Sequence, residues 1–232
     1  MVALFAHPAT TARVRAGLER TLGAGLGLQV GLGKFELSLA GQFVAHDVRV
    51  VHPLHGTLLE VKELRAVPSL QLLWGGDRVL ERVVLERPHV YLRFEDGTLI
   101  NGPVSGGGAD QGGGSAARRF GKLELRGGLL DLELGTEHAL RLQDIDATLE
   151  SRDDGGLGVD LADAAGWWRH EAGSERLQAL RVTGSFGPKG VGLSRLALRL
   201  PWAGVELREV VVDTSLEPLH FQSSGRVRLD MG

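Results

Sequence analysis

A chain of 232 residues can be one domain or two small ones, and at that length a compact fold can bury roughly 70–75% of the unfolded surface. Its 26 basic and 29 acidic residues give a formal charge of −3 and stand singly rather than in runs, so the electrostatic footprint of a nucleic-acid binder is missing. The absence of cysteine excludes a disulfide framework and thiolate metal sites, and an apolar content of 43% with only 5% aromatic is mostly Leu, Val and Ala, a lining that suits acyl chains or a plain sheet core.

The chain opens on Met1, Val2, Ala3, Leu4, Phe5 and Ala6, a run too short for a signal peptide and without its charged n-region. This run is either a plain terminus or the trailing end of a membrane anchor, and no stretch of the chain reaches the roughly 20 apolar residues that span a bilayer. A helix is expected from Pro8 to Leu22, with Pro8 at its first turn and Gly23 and Gly25 stopping it. Val14, Leu18 and Leu22 fall on one face and Arg13, Arg15 and Arg20 on the others. Residues 1–25 are therefore an amphipathic helical unit that plugs a sheet end or lies on anionic headgroups.

From Leu26 the apolar period changes from 3.6 to 2 and stays there, which makes 26–101 a first β-block. Leu28, Val30 and Leu32 alternate with small or polar residues, then Phe35, Leu37 and Leu39 do the same. Strands follow over 44–51, 58–67, 79–87 and 89–94, with Pro53, Pro68 and Pro88 at strand ends, where a missing N–H does least harm. Asp96 and Gly97 close the last pair with a turn. Residues 102–117 are rich in Gly and Ser and read as a flexible loop. A second β-block, 118–232, resumes with Leu123 and Leu125, with Leu130, Leu132 and Leu134 against Asp131 and Glu133, and with Leu140, Leu142 and Ile145.

Residues 152–156 read as a turn, and 160–175, with Trp167 and Trp168, fit a loop or a short helix. The paired indoles suit a membrane interface, a partner's surface, or simple packing over an open sheet end. Further strands are expected over 177–185, 191–200, 205–212 and 216–229. Strands at intervals of about 8–14 residues mark a mainly β chain, an antiparallel meander. The stretches 122–133, 196–212 and 224–230 repeat one scheme, apolar on one side and charged on the other, as in an elongated sheet that keeps adding strands. The pattern runs almost to the last residue, so the chain reads as a fragment of something longer.

Catalytic templates fail residue by residue. A dinucleotide loop built from Gly23 and Gly25 would need glycine where Leu28 stands, and a P-loop would need a hydroxyl where Phe35 and Leu123 follow Lys34 and Lys122. Ser185, between Gly184 and Phe186, is turn chemistry and no nucleophile elbow. His46, His52, His55 and His89 are the only candidates for a metal site, and His52 with His55, around Pro53, read as solvated turn histidines. Asp153 and Asp154 have too few companions for a calcium loop. No catalytic residue, metal or cofactor is expected, and the many carboxylates beside basic neighbours are cross-strand pairs on a wet face.

The segment from Arg82 through Pro88 to Asp96, Gly97 and Asn101 resembles the strand pair of the AsmA-like and TamB-like proteins of diderm bacterial envelopes. The likeness extends over about residues 9–149 through the N-terminal helix, the opening at 28–37, and Phe43 to Val50. Val61 to Leu64 and Leu70 to Gly75 carry it further. It implies a strongly curved antiparallel sheet, an elongated β-groove open along one side like a taco shell, with an apolar inner face and a charged outer one. It also implies a periplasmic place, tethered to the inner membrane, with membrane proteins at one or both ends and phospholipid or another acyl-chain lipid as cargo. On this reading Leu28, Val30, Leu37, Leu39, Val48, Val50, Leu85, Val90, Leu92, Leu130, Leu132, Leu198, Val205, Leu207, Val210, Val212, Val227 and Leu229 face the groove. Two other readings fit the alternation: a scaffold that offers sheet edges to outer-membrane proteins during assembly, and a closed structural β-sandwich.

Overall fold

The computed structural model describes Glu19 and residues 27–37, 42–69, 80–102, 120–152, 156–187, 190–213 and 220–229. The expected helix over 8–22 lies outside them except for Glu19, whose carboxylate accepts the Leu32 N–H at 2.9 Å. The first block supplies β1 (Gln29–Gly31), β2 (Phe35–Leu37), β3 (Phe43–His52), β4 (Gly56–Pro68), β5 (Leu80–Glu95) and β6 (Thr98–Leu99). The second supplies β7 (Phe120–Leu134), β8 (His138–Ser151), β9 (Leu157–His170), β10 (Gly173–Gly187), β11 (Gly190–Arg199), β12 (Ala203–Asp213) and β13 (His220–Leu229). All 13 belong to one sheet that does not close on itself, in the order β1-β3-β4-β5-β7-β8-β9-β10-β11-β12-β13, with β2 added to β3 and β6 to β5.

The expected antiparallel meander holds for every neighbouring pair but one. β5 and β7 run parallel, in register from Leu80 beside Phe120 to Phe94 beside Leu134. The cause lies in the turn after β5. Asp96 and Gly97 both take positive φ, 49° and 74°, the backbone of a tight hairpin turn, and they fold β6 back along β5. The chain must then return to the far end of the sheet before β7 can start, and a parallel neighbour needs such a crossover. The expected flexible loop over 102–117 lies outside the described residues apart from Gly102, and the β5–β7 pairing joins the two β-blocks into one continuous sheet.

Asn101 locks the hairpin. Only 2% exposed, it accepts the Arg93 N–H through Oδ1 at 2.9 Å and donates through Nδ2 to the carbonyls of Tyr91, at 2.8 Å, and Thr57, at 3.3 Å. One side chain thereby stands in for the main-chain ladder where the antiparallel register of β4 and β5 stops at Leu59 and Val90.

Three local expectations are corrected. Pro53 and Pro68 do sit at strand ends, but Pro88 is a fully buried residue inside β5, where two expected strands merge into one. The β5–β7 register lapses at Arg87 and Pro88, which accommodates a residue without an N–H. Residues 160–175 are strand, the β9–β10 hairpin turning at 171–172, because pairing with β8 on one side outweighs the weak β propensity of their alanines and glycines. His52 is buried rather than solvated, and its Nδ1 accepts the N–H groups of Leu54 and His55 to close the β3–β4 turn.

A line of irregularity crosses the sheet. In each long strand from β3 to β12 the apolar alternation slips once, so that two residues three apart share a face. The pairs are Ala45/Val48, Val61/Leu64, Leu85/Pro88, Leu125/Gly128, Leu142/Ile145, Leu161/Ala164, Leu177/Leu180, Leu193/Leu196 and Leu207/Val210. In six of them the residue just before the second member is left-handed: Asp47, Arg87, Gly127, Asp144, Asp163 and Glu209, with φ between 32° and 58°. A left-handed residue inside a strand inserts one position and bends the strand. The best-buried apolar side chains flank this crease, among them Val61 at 2% exposure, Leu142 and Leu177 at 3%, and Ala164 at 0%. They form two clusters, one around Ala45, Val48, Val61 and Leu85, the other around Leu142, Ile145, Ala164 and Leu177.

Candidate functional site

Cross-strand register converts the alternation into lanes that run across the sheet. One passes through Ala45, Leu64, Leu85, Leu125, Ala147, Leu161, Val182, Leu196 and Leu207, each directly opposite the next from β3 to β12. On the other side of the crease a second lane passes through Val50, Leu59, Val90, Leu130, Leu142, Gly166 and Leu177. A third, nearer the turns, passes through Leu92, Leu132, Leu140 and Trp168. The lanes contain no charged side chain, because one side of every pair is set by the same pleat.

The groove residues named from sequence fall as follows. Val50, Leu85, Val90, Leu92, Leu130, Leu132 and Leu207 lie in these lanes. Val48 and Val210 are buried at the crease, opposite Val61 and Leu193. Val30 pairs with Val50, Leu198 pairs with Val205, and Leu28 is buried just before β1. The backbones of Leu37, Val212, Val227 and Leu229 pair with those of Phe43, Val191, Val205 and Ala203. Leu39 lies outside the described residues. The lanes also hold Leu59, Leu64, Leu125, Leu161, Val182 and Leu196, which strict alternation does not select. The signal that finds them is the three-residue spacing at the crease, since counting by two from the wrong side of it puts them on the wrong face.

The opposite face is charged and pairs across strands. Arg49 meets Glu60, Arg93 meets Glu133 at 2.7 Å, Arg126 meets Glu86 at 3.4 Å, and Arg195 meets Glu206 at 3.3 Å. Glu124 is a hub, accepting from Arg82 at 2.6 Å and Arg126 at 2.8 Å with Lys122 at 3.4 Å. The hydrogen bond from Arg82, with those from Arg126 and Lys122, holds its carboxyl down at about 2. His89 Nε2 bonds Asp131 at 2.7 Å, and in the tautomer that this carboxylate selects the Tyr91 hydroxyl donates to Nδ1, also at 2.7 Å. Arg141 completes the chain on Asp131 at 3.3 Å. Burial, reinforced by the charges of Glu60 and Asp131, raises the Tyr91 phenol above its ordinary value, the opposite of what a nucleophilic phenolate needs.

Two clefts open on the charged side over the crease. The larger, about 540 Å³, is lined by Asp47, Arg49, Glu60, Lys62, Arg87 and His89, and most of its charges pair with one another: Arg49 with Glu60, and Lys62 with Asp47 at 3.8 Å. The smaller, about 370 Å³, lies among Glu124, Arg126, Asp146 and Asp160. Among the described residues no cluster of three or more His, Asp or Glu side chains could hold a metal ion, and no helix is long and apolar enough to cross a membrane. On the other face the apolar lanes continue across the strands, with Leu59, Val90, Leu130 and Leu196 among their partly exposed side chains. No protein-family model matches the chain, and no curated protein is detectably similar to it.

Proposed function

We propose that the chain is a non-enzymatic groove protein of the bacterial cell envelope that binds or conducts phospholipid between the inner and outer membranes, as a piece of an AsmA-like or TamB-like protein. The observation that carries the reading is the set of apolar lanes on one face of an open sheet, together with a crease that crosses the strands and would fold that face inward as a trough. Along such a trough each acyl methylene leaving water gains roughly 0.8 kcal/mol, and a lining of Leu, Val and Ala offers nearly the same environment from one strand to the next. A chain can then slide with little change in energy while its headgroup stays at the open side. Periplasmic location, a tether to the inner membrane and membrane-protein partners at the ends belong to the same proposal.

The test is native mass spectrometry with lipid extraction on the purified chain and on Leu132→Asp/Leu207→Asp, with Leu129→Asp on the charged face as control. Phospholipid should accompany the parent chain and the control and be lost from the double variant while far-ultraviolet circular dichroism is unchanged. Equal lipid content in all three would sink the proposal. A second reading has its own observation: β13 is a strand of 10 residues at the end of the sheet, its outer backbone edge unpaired among the described residues. An edge of that length accepts an incoming strand, as a scaffold for outer-membrane protein assembly would. Cross-links that trap extended polypeptide against β13, with no lipid in the groove, would favour it. A sealed β-sandwich would need two sheets, and the described strands form one.

A further inference from the structure

β3, β5, β7, β9 and β11 all run toward the same rim, which carries the turns at 53–55, 96–97, 135–137, 171–172 and 200–202. Most of the large apolar side chains left exposed gather there. Leu54, Leu134, Trp167, Trp168 and Trp202 are 84%, 45%, 49%, 43% and 51% exposed, whereas Phe186 and Val211 lie toward the other rim. The three indoles occupy two adjoining hairpin ends. Trp168 stands opposite Glu175 across β9 and β10, Trp167 opposite Arg176, and the Trp202 indole N–H reaches over to donate to the same Glu175 at 3.3 Å.

The arginines nearest the tryptophans, which stand among Glu171 and Glu175, differ from several along the charged face in their pairing. On the charged face such arginines as Arg49, Arg82, Arg93 and Arg126 are each matched by a carboxylate. Beside the tryptophans, Arg169, Arg176, Arg199 and Arg228 have no ion pair among the described residues, and their register places them at the same strand ends. Indoles at the strand ends, flanked by guanidinium groups without an ion pair among the described residues, match a layer whose depth is apolar and whose surface carries phosphate.

We propose that this rim, built on Trp167, Trp168 and Trp202 with Arg169, Arg176 and Arg199, seats on an anionic bilayer surface. The inference rests on the lipid-handling reading and deepens it. Trp168 ends the lane through Leu92, Leu132 and Leu140, so a docked rim brings the apolar face of the sheet to the headgroup layer, where an acyl chain can pass sideways between membrane and groove. The docking is lateral, along the turns, and independent of what either end of the strand order contacts.

Flotation of the full chain with phosphatidylcholine vesicles, with and without phosphatidylglycerol, tests it. A Trp74→Phe background confines tryptophan emission to the rim. Binding should require phosphatidylglycerol and shift the emission to the blue. Trp167→Ser/Trp202→Ser and, separately, Arg169→Gln/Arg199→Gln should each weaken binding about tenfold or more, an arginine near such a surface being worth roughly a fivefold change. Failure to bind anionic vesicles, or undiminished binding in either double variant with an unchanged circular dichroism spectrum, overturns the proposal. Leu132→Asp/Leu207→Asp separates the two readings. Vesicle binding by a chain that carries no lipid in any form keeps the rim and sinks the groove, while lipid-loaded chain that ignores vesicles does the reverse.

Discussion

Replacing Asn101, the single asparagine of the chain, by alanine removes a side chain that is 2% exposed and makes three hydrogen bonds to main-chain groups of β4 and β5. Two of the three are short, 2.9 Å from the Arg93 N–H and 2.8 Å to the Tyr91 carbonyl, and the third, to Thr57, is a long 3.3 Å. A buried hydrogen bond contributes about 1 kcal/mol net, and a buried N–H left without an acceptor costs about 1–3 kcal/mol. The alanine variant should therefore lose about 3 kcal/mol. Asn101→Asp tests the donors separately: it keeps the acceptor for Arg93 but turns a charge toward two carbonyls, and should cost at least as much. Urea unfolding followed by circular dichroism reads both values, with the slope against denaturant unchanged if the native sheet is intact. A loss below about 1 kcal/mol for the alanine variant, or an aspartate variant as stable as the parent, would refute the assignment of Asn101 as the lock between β4, β5 and the β5–β6 hairpin.

Particular residues explain what the sequence yields and what it hides. Alternation places the strands because the pleat has a period of two, and Asp96 with Gly97 marks the hairpin because both positions need positive φ. The parallel β5–β7 pair is not legible, since nothing local in Phe120 to Leu134 distinguishes a parallel from an antiparallel neighbour. Its cause is the short return of β6, two residues long, which leaves the chain at the wrong end of the sheet. Trp167 and Trp168 escape as strand residues because Ala164, Ala165 and Gly166 before them offer no β-branched signal. The crease was present in the letters all along: Leu142 to Ile145, Leu161 to Ala164 and Leu207 to Val210 each break the count of two at a spacing of three, with an acidic residue before the second member. One such break reads as a loop or an error of register. Only the alignment of nine strands side by side reveals that they are the same feature, and alignment is a tertiary fact.

Three further outcomes follow from that geometry. Gly166→Ala would set a Cβ 1.8 Å from the Arg141 carbonyl oxygen, a main-chain atom between paired strands that cannot swing aside, and should cost about 3 kcal/mol or more, whereas Gly204→Ala, facing open space, should stay within about 0.5 kcal/mol. Equal losses in thermal unfolding would refute the close approach of β8 and β9. At Glu124 the folded carboxyl is depressed to about 2, so its contribution is complete above about pH 4.5 and fades as pH falls toward 2. Glu124→Gln should cost about 1 kcal/mol at neutral pH, the partners being half exposed, and nothing near pH 2, and a gap that widens in acid would reverse the sign of the argument. Gly127 tests the crease itself. Its φ is 58°, and a Cβ there would meet nothing nearer than the Arg87 Cγ at 3.9 Å, so substitution changes the backbone energy and almost nothing else. Valine, which resists left-handed geometry, should cost about 2 kcal/mol, and asparagine, which tolerates it, under about 0.5 kcal/mol. If the two cost the same, the loss is not conformational and the slip in alternation is not held by left-handed residues. If they differ as stated, the slip across β3 to β12 is a property written into single positions, and removing it at several of them at once becomes the direct way to ask whether the proposed lipid binding depends on it.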